Sequence, residues 1–467
     1  MTYVVNKFGG DLSADSVNLE KSISLIRRQM QAGYKPIIVI SAIRGITDQL
    51  HGNYNYALGL ASGLQNRGRP RDSNILDEYL ETALEGIKGK HYKLVDVLIS
   101  DGKYRSFAKQ KIDSAVSDVR RNIVDIFENG DPTGRLHDRI GHYGEVMAAS
   151  ILFNKLLEDG VKVELIDPQD TSVITDGNFG TARIDMDLTR EQASKYKPLL
   201  DSGYVILEPG YFGIKDGEIT LMGRGASDSK SIGLAIALDA EVYLWKTTVL
   251  MSADPQVVPQ ARHVPKLDYG EAVEAGKVIQ SEAVALASDN NKPIVIKSID
   301  RPKATTTIVD SVGDPEIPVK IISSSSTEHI LDIRSPMMDY AGTFPYHLFA
   351  ERGVNISTID SNMRGRALVT CRGNGNHNTS GIIEDICDDI RRMGYEVDHG
   401  NVALVYVIGR GSSGFGVVEK INRLAERYAV VGASPTKKGI PAVVVKVEPK
   451  HAEMVVKKLH KELIETA

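Results

Sequence analysis

The sequence predicts an α/β protein in which a large domain with a mostly parallel, helix-covered sheet precedes two small ferredoxin-like units. Three observations carry this. From residue 1 to about 300, short β-branched runs alternate with longer amphipathic stretches, the pattern of strands joined by crossover helices. A composition break follows at Val309 to Ser326, where SVGDPEIP runs on towards four consecutive serines and reads as a linker. Beyond it a βαββα-like order of roughly seventy residues occurs twice, the mark of a repeated module. The expected division is 1–310, 320–400 and 401–467. A chain of 467 residues is too long for one compact core, so several domains are expected on size alone.

In the first region the strands are YVVNKF, PIIVISA, VKVELID, YVILEPGYF, EITLMG, VYLWKT, TTVLM and PIVIKS. A helix spans Leu19 to Gln31, and further helical stretches run to about Lys155. Lys215-Asp216-Gly217-Glu218 has the chemistry of a tight hairpin turn, placing an antiparallel pair just before a glycine-rich loop. In the second region HILDIRSPMM, a helix from Pro345 to Arg352, NISTID, RALVTC and a helix from Ser380 to Met393 form the first unit. ALVYVIG, a helix from Val417 to Tyr428, AVVGASP, PAVVVKV and a helix from Lys450 to Leu463 form the second.

Composition narrows the function. Hydrophobic residues make up 42% and charged residues 25%, and the formal net charge of −5 gives no general attraction for nucleic acid or an anionic membrane. The opening MTYVVNKFGG lacks the regions of a signal peptide, and no apolar run is long enough for a membrane helix, so a cytoplasmic location is expected. Cys371 and Cys387 lack metal-ligand spacing and read as buried thiols, with no structural metal implied.

Open α/β sheets bind ligands beyond the carboxyl ends of their strands, which singles out four loops. Lys7-Phe8-Gly9-Gly10 ends the first strand. Its glycines let backbone N–H groups approach a polyphosphate and its lysine adds a mobile charge, although a turn with a solvated lysine has the same pattern. Ser41 to Asp48 follows the second strand, and Gly144-Glu145 opens a helix; they read either as amino-acid ligands or as helix-end residues. Gly223-Arg224-Gly225-Ala226-Ser227-Asp228 leads into an apolar helix, with an arginine suited to a carboxylate and N–H groups suited to an anion, while Asp228 could equally cap the helix. Neither a P-loop nor a dinucleotide fingerprint occurs.

In order, KFGG, SAIRGITD, GHYGEVMAA, GYFG, LMGRGASD, SADPQVVPQARH and GKV resemble the motifs of aspartate kinases, which have the amino-acid kinase fold, and the repeated unit resembles the ACT modules that follow the kinase in that family. The resemblance implies ATP and Mg²⁺ as cofactors and in-line phosphoryl transfer to an amino acid, without a covalent enzyme intermediate. It implies that Lys7, Gly9 and Gly10 hold phosphates, that Ser227, Asp254 and Lys277 serve the nucleotide, and that Ser41, Thr47, Glu145 and Arg224 grip the amino acid. Ser227 and Asp228 would lie beside the acceptor. Asn355 and Ile356 occupy the corner where ACT modules bind effector amino acids, and ACT pairing implies a homodimer.

Departures from the family pattern complicate the acceptor. Asp11 and Leu12 replace threonine and serine after the glycine pair, and a carboxylate there either fits a base for an alcohol such as homoserine better than it fits aspartate or points outward as a turn residue. Thr247 to Ser252 replaces the usual nucleotide segment, and Lys230 stands where small residues are common, as a phosphate contact or a solvated charge. The leading expectation is phosphorylation of aspartate to 4-phospho-aspartate. The alternatives are a homoserine kinase with Asp11 as base and a catalytically silent amino-acid sensor.

Overall fold

The computed structural model describes the chain except Met1, residues 67–72, Arg224, residues 277–278 and 311–317, Ser326, residues 335–344, Gly353, residues 364–365, 374–378 and 436–440, and Ala467. The chain divides into two units. One comprises residues 1–250 and 265–312, the other 251–264 and 313–467.

The first unit opens with β1 (Tyr3–Phe8), α1 (Ser16–Gln31), β2 (Lys35–Ile40), α2 (Ile46–Asn66), α3 (Ser73–Leu98), α4 (Gly102–Asn129), α5 (Arg135–Gly141), α6 (Tyr143–Glu158) and β3 (Val163–Leu165). It continues through α7 (Met186–Ala193), α8 (Tyr196–Asp201), β4 (Val205–Pro209), β5 (Phe212–Lys215), β6 (Glu218–Leu221), α9 (Ala226–Ala237) and β7 (Glu241–Lys246). It ends with β8 (Lys266–Asp268), α10 (Tyr269–Ala275), α11 (Ser281–Asp289), β9 (Ile294–Ser298) and β10 (Thr305–Val309). Among the described residues, eight strands form one sheet in the order β3-β4-β2-β1-β7-β9-β10-β8. Every pairing from β3 to β9 is parallel, and β10 runs against β9. Val4, Val5, Ile37, Ile38 and Val39 are fully buried, as strands covered on both faces require. Helices α1 to α4 and α6 share one apolar core with these strands, while α9 lies against β1, β2 and β7.

The β5–β6 hairpin forms as expected, with Asp216 and Gly217 both at positive φ, the geometry of the tight turn that matches strand twist. TTVLM is not a strand: β7 ends at Lys246, and of this run only Met251 makes an isolated bridge, to His263. Its β-branched residues occupy a loop because no neighbouring strand extends alongside them. Strands β8 and β10 are further members of the sheet that the sequence did not reveal.

The second unit contains β11 (Ile321–Ser324), β12 (Glu328–Arg334), α12 (Tyr346–Ala350), β13 (Val354–Met363), β14 (Arg366–Gly373), α13 (Thr379–Arg392), β15 (Glu396–Ile408), α14 (Phe415–Ala425), β16 (Ala429–Pro435), β17 (Ala442–Val447) and α15 (Ala452–His460). All its described pairings are antiparallel. Strand β15 is long enough to serve both repeats: its first half pairs β12 and its second half pairs β17 and β11. The order β13-β14-β12-β15 and the order β16-β17-β15-β11 are each that of a ferredoxin-like sheet. The edge strand of the second repeat therefore comes from residues that precede the first. Residues 251–264 join this unit, with Ala253 and Val258 in its core and the Ser252 carbonyl accepting from the Ile322 N–H at 2.8 Å. Cys371 and Cys387 are buried free thiols, their pKa values pushed up to about 12 and about 11 by burial.

Candidate active site

Strand order reverses at β1: β2 and β4 lie to one side and β7 and β9 to the other, and such a reversal opens a crevice at the strand carboxyl ends. A cleft of about 330 Å³ lies there, lined among others by Lys7, Gly9, Gly10, Asp11, Lys246 and Thr248. The loop after β1 is held close to that after β2 by the Ser41 N–H donating to the Phe8 carbonyl at 3.0 Å. A side chain at Gly10 would put its Cβ 3.0 Å from the Ala42 carbonyl oxygen, so only glycine lets the backbones approach this far.

Two lysines line this cleft, and one buried aspartate pairs with both. Lys7 Nζ lies 2.7 Å from Asp228 Oδ1, and Lys246 Nζ lies 3.7 Å from Asp228 Oδ2. Asp228 is buried in the first turn of α9. Burial raises its pKa, but Lys7 and Lys246 together outweigh that and hold it below the usual carboxylate range. Lys246 is lowered, by burial first and by Lys7 second. One carboxylate thus keeps two converging cations in place, ready to be shared with a polyanion.

Glu145 sits in the first turn of α6 and is buried. Its Oε1 accepts from the Ala42 N–H at 3.2 Å, whereas its Oε2 has no hydrogen-bond partner among the described residues. Burial pushes its carboxyl up to about 8, against the pull of the Ala42 N–H, its own N–H, Lys230 and Lys7. An enclosed carboxyl with one vacant oxygen suits a ligand that brings its own cation, such as an ammonium group.

The sequence profile of the Amino acid kinase family matches residues 2–298. The chain belongs to the amino acid kinase family. Within it, lysine-sensitive aspartokinase 3 of Escherichia coli (strain K12) is 25% identical over 485 residues, covering 99% of this chain and 99% of that protein. An aspartokinase of Mycolicibacterium smegmatis is 26% identical over 264 residues, and the aligned stretch spans only 62% of its length. Crystal structures of E. coli aspartokinase III cover 99% of both chains. The complex with lysine and aspartate gives a TM-score of 0.78 at 22% identity, and that with aspartate and ADP gives 0.76 at 24%. The resemblance drawn from the motifs and the α/β-plus-ferredoxin-like fold are both borne out.

In this kinase Ser227 is buried beside Asp228 on α9, and Ser41 and Thr47 lie half-buried on the loop after β2 and at the start of α2. Asp228 is not the helix cap. Gly225 occupies that position, and the Asp228 carboxylate turns to the lysines. Arg224 and Lys277 lie outside the described residues. Asp254 belongs to the second unit, where it accepts from the Gln256 N–H at 2.9 Å. Asn355 and Ile356 are on β13, opposite Arg372 and Cys371.

Two expectations need correction. Asp11 is about half exposed and lies 2.8 Å from the Arg44 guanidinium, so the carboxylate is already neutralised at the mouth of the cleft and no buried base results. Lys230 is neither solvated nor a phosphate contact: it is fully buried and 2.8 Å from Glu208 Oε2. Sequence reasoning also passed over Lys246, although a lysine ending a strand beside β1 was the available signal.

Proposed function

We propose that this kinase transfers the terminal phosphoryl group of ATP to the side-chain carboxylate of L-aspartate, forming 4-phospho-L-aspartate. The observation that carries the reading is the Lys7–Asp228–Lys246 constellation at the strand-order reversal, in a unit that also buries the Glu145 carboxyl with one vacant oxygen. Lys7, Lys246 and the backbone of Gly9 and Gly10 hold the phosphates and neutralise charge on the transferred group. Glu145 takes the amino acid's ammonium, Arg224 its α-carboxylate, and Ser41 and Thr47 its remaining polar atoms. Ser227 and Asp228 position acceptor against donor, and Lys277 serves the nucleotide. The attacking aspartate oxygen is already ionised, so positioning and charge neutralisation suffice and no general base is needed.

Mg²⁺ fits such a site as a companion of the nucleotide phosphates, which, with water, are its usual ligands, and it neutralises phosphate charge when bound. Among the described residues there is no cluster of three His, Cys, Asp or Glu side chains placed to hold a metal. The reading further includes a cytoplasmic location, a homodimer formed through the ferredoxin-like repeats, and an amino-acid effector at Asn355 and Ile356.

The test supplies ATP–Mg with aspartate, homoserine or other amino acids in turn and traps acyl phosphate with hydroxylamine. Aspartate-dependent hydroxamate is expected, and turnover of homoserine without aspartate would overturn the reading. Because exposed ion pairs contribute little, about 1 kcal/mol or less, Asp11→Asn is expected to keep aspartate turnover within about fivefold of the parent. Loss of two orders of magnitude would return Asp11 to the chemistry.

A further inference from the structure

Behind the acceptor side of the site lies a buried ion pair that the function above does not use. Lys230 and Glu208 are both fully buried. Lys230 Nζ is 2.8 Å from Glu208 Oε2, donates to the Pro209 carbonyl at 2.8 Å and stands 4.4 Å over the Phe212 ring, so the ammonium is directed on three sides. Glu208 in turn accepts from Thr171 Oγ1 at 2.8 Å, Ser172 Oγ at 3.4 Å and the Tyr196 hydroxyl. Replacing a buried pair by apolar side chains of similar volume is often neutral or stabilising, so stability alone gives little reason for this one.

Its position supplies a reason. Lys230 belongs to the same end of α9 as Ser227 and Asp228, and its two oxygen partners belong to the end of β4. The next residue, Gly210, donates to the Ile40 carbonyl at 2.8 Å, and a Cβ there would come within 2.5 Å of Ser227 Oγ. The β4 exit, the β2 exit and the α9 N-terminus therefore meet at this pair. We propose that Lys230, held by Glu208 and the Pro209 carbonyl, is a positioning residue that fixes the first turn of α9 on the β4 exit and presents a buried cation to Glu145, thereby setting affinity for the amino acid rather than for the nucleotide. The attraction between Lys230 and Glu145 is felt by both groups. The inference rests on the reading of Glu145 as the ammonium-binding residue.

The experiment compares the parent chain, Lys230→Met and the double variant Lys230→Met/Glu208→Gln. The single variant strands a buried carboxylate and is expected to lose thermal stability; the double variant removes both charges and regains it. In the double variant, KM for the amino acid is expected to rise about tenfold at neutral pH, with the nucleotide KM within about twofold, because the anchor of the first turn of α9 and the cation facing Glu145 are lost together while Lys7 and Lys246 remain. The pH at which amino-acid KM improves should move upward, since without Lys230 the carboxylate ionises later. A stable double variant with the parent's amino-acid KM and pH profile overturns the proposal and leaves a structural pair. So does an equal rise in both KM values, which would report general distortion. If Glu145→Gln leaves the parent's amino-acid KM and its pH dependence unchanged, the ammonium reading itself fails, an outcome separable from the other two.

Discussion

Lys7→Met is expected to lower kcat by about 10²- to 10³-fold, the usual loss when one preorganised charge donor is removed from developing negative charge. The substitution has a second consequence, for folding. Lys7 is the nearer partner of a buried carboxylate, at 2.7 Å against 3.7 Å for Lys246. Removing it leaves Asp228 poorly compensated, at a cost of about 3 kcal/mol. The sign in pH follows from Asp228 being held below its ordinary pKa. Its contribution to stability is present above the unfolded carboxylate pKa and is lost as pH falls through the lower folded value, so the deficit of Lys7→Met is expected at neutral pH and vanishes in acid. The double variant Lys7→Met/Asp228→Asn separates the two effects. Thermal unfolding should recover most of the stability, while steady-state assays should recover none of the turnover. Recovery of turnover would mean that Lys7 serves only to neutralise Asp228.

What the sequence disclosed about this site depended on whether a local pattern stood for a three-dimensional one. Lys7 and Asp228 were legible through the ordered motifs and their resemblance to a family, since taken alone the glycine pair fits a turn with a solvated lysine equally well and Asp228 fits a helix cap. Their mutual pairing was not legible, since it requires α9 to lie against β1. The same holds for Lys230 and Glu208. Each looks like an ordinary surface charge until β4 and α9 are brought together, and then both are fully buried. Asp11 went astray in the opposite direction, because a carboxylate near phosphates was weighed without Arg44, whose loop only the sheet brings into range. The run Thr247 to Met251 has strand-like residues but no strand to pair with, which no propensity could reveal. The edge strand β11 escaped for a topological reason: it completes a repeat whose other strands begin beyond the intervening repeat.

Glu145→Gln is expected to raise the amino-acid KM about 50-fold while leaving the fold intact, and the reason lies in the protonation state of the parent residue. With its carboxyl pushed up from 4.5 to about 8 by burial, Glu145 is mostly neutral near pH 7 before substrate arrives, and glutamine copies that neutral form in shape and charge. An incoming ammonium favours the ionised carboxylate, so binding near pH 7 should expel close to one proton to solvent. Calorimetry in buffers of different ionisation enthalpy measures that release directly, and Glu145→Gln should abolish it. The two pH dependences then run in opposite directions. For binding, affinity should improve as pH rises towards about 8 and then level off. For folding of the free chain, the raised pKa contributes stability that is complete below 4.5 and declines as pH rises to about 8, a slope absent from Glu145→Gln. Amino-acid binding without proton release near pH 7 would mean that the vacant Oε2 does not receive the ammonium. The cation would then have to be held elsewhere, and the buried carboxyl would be a neutral hydrogen-bonding group of the α6 N-terminus.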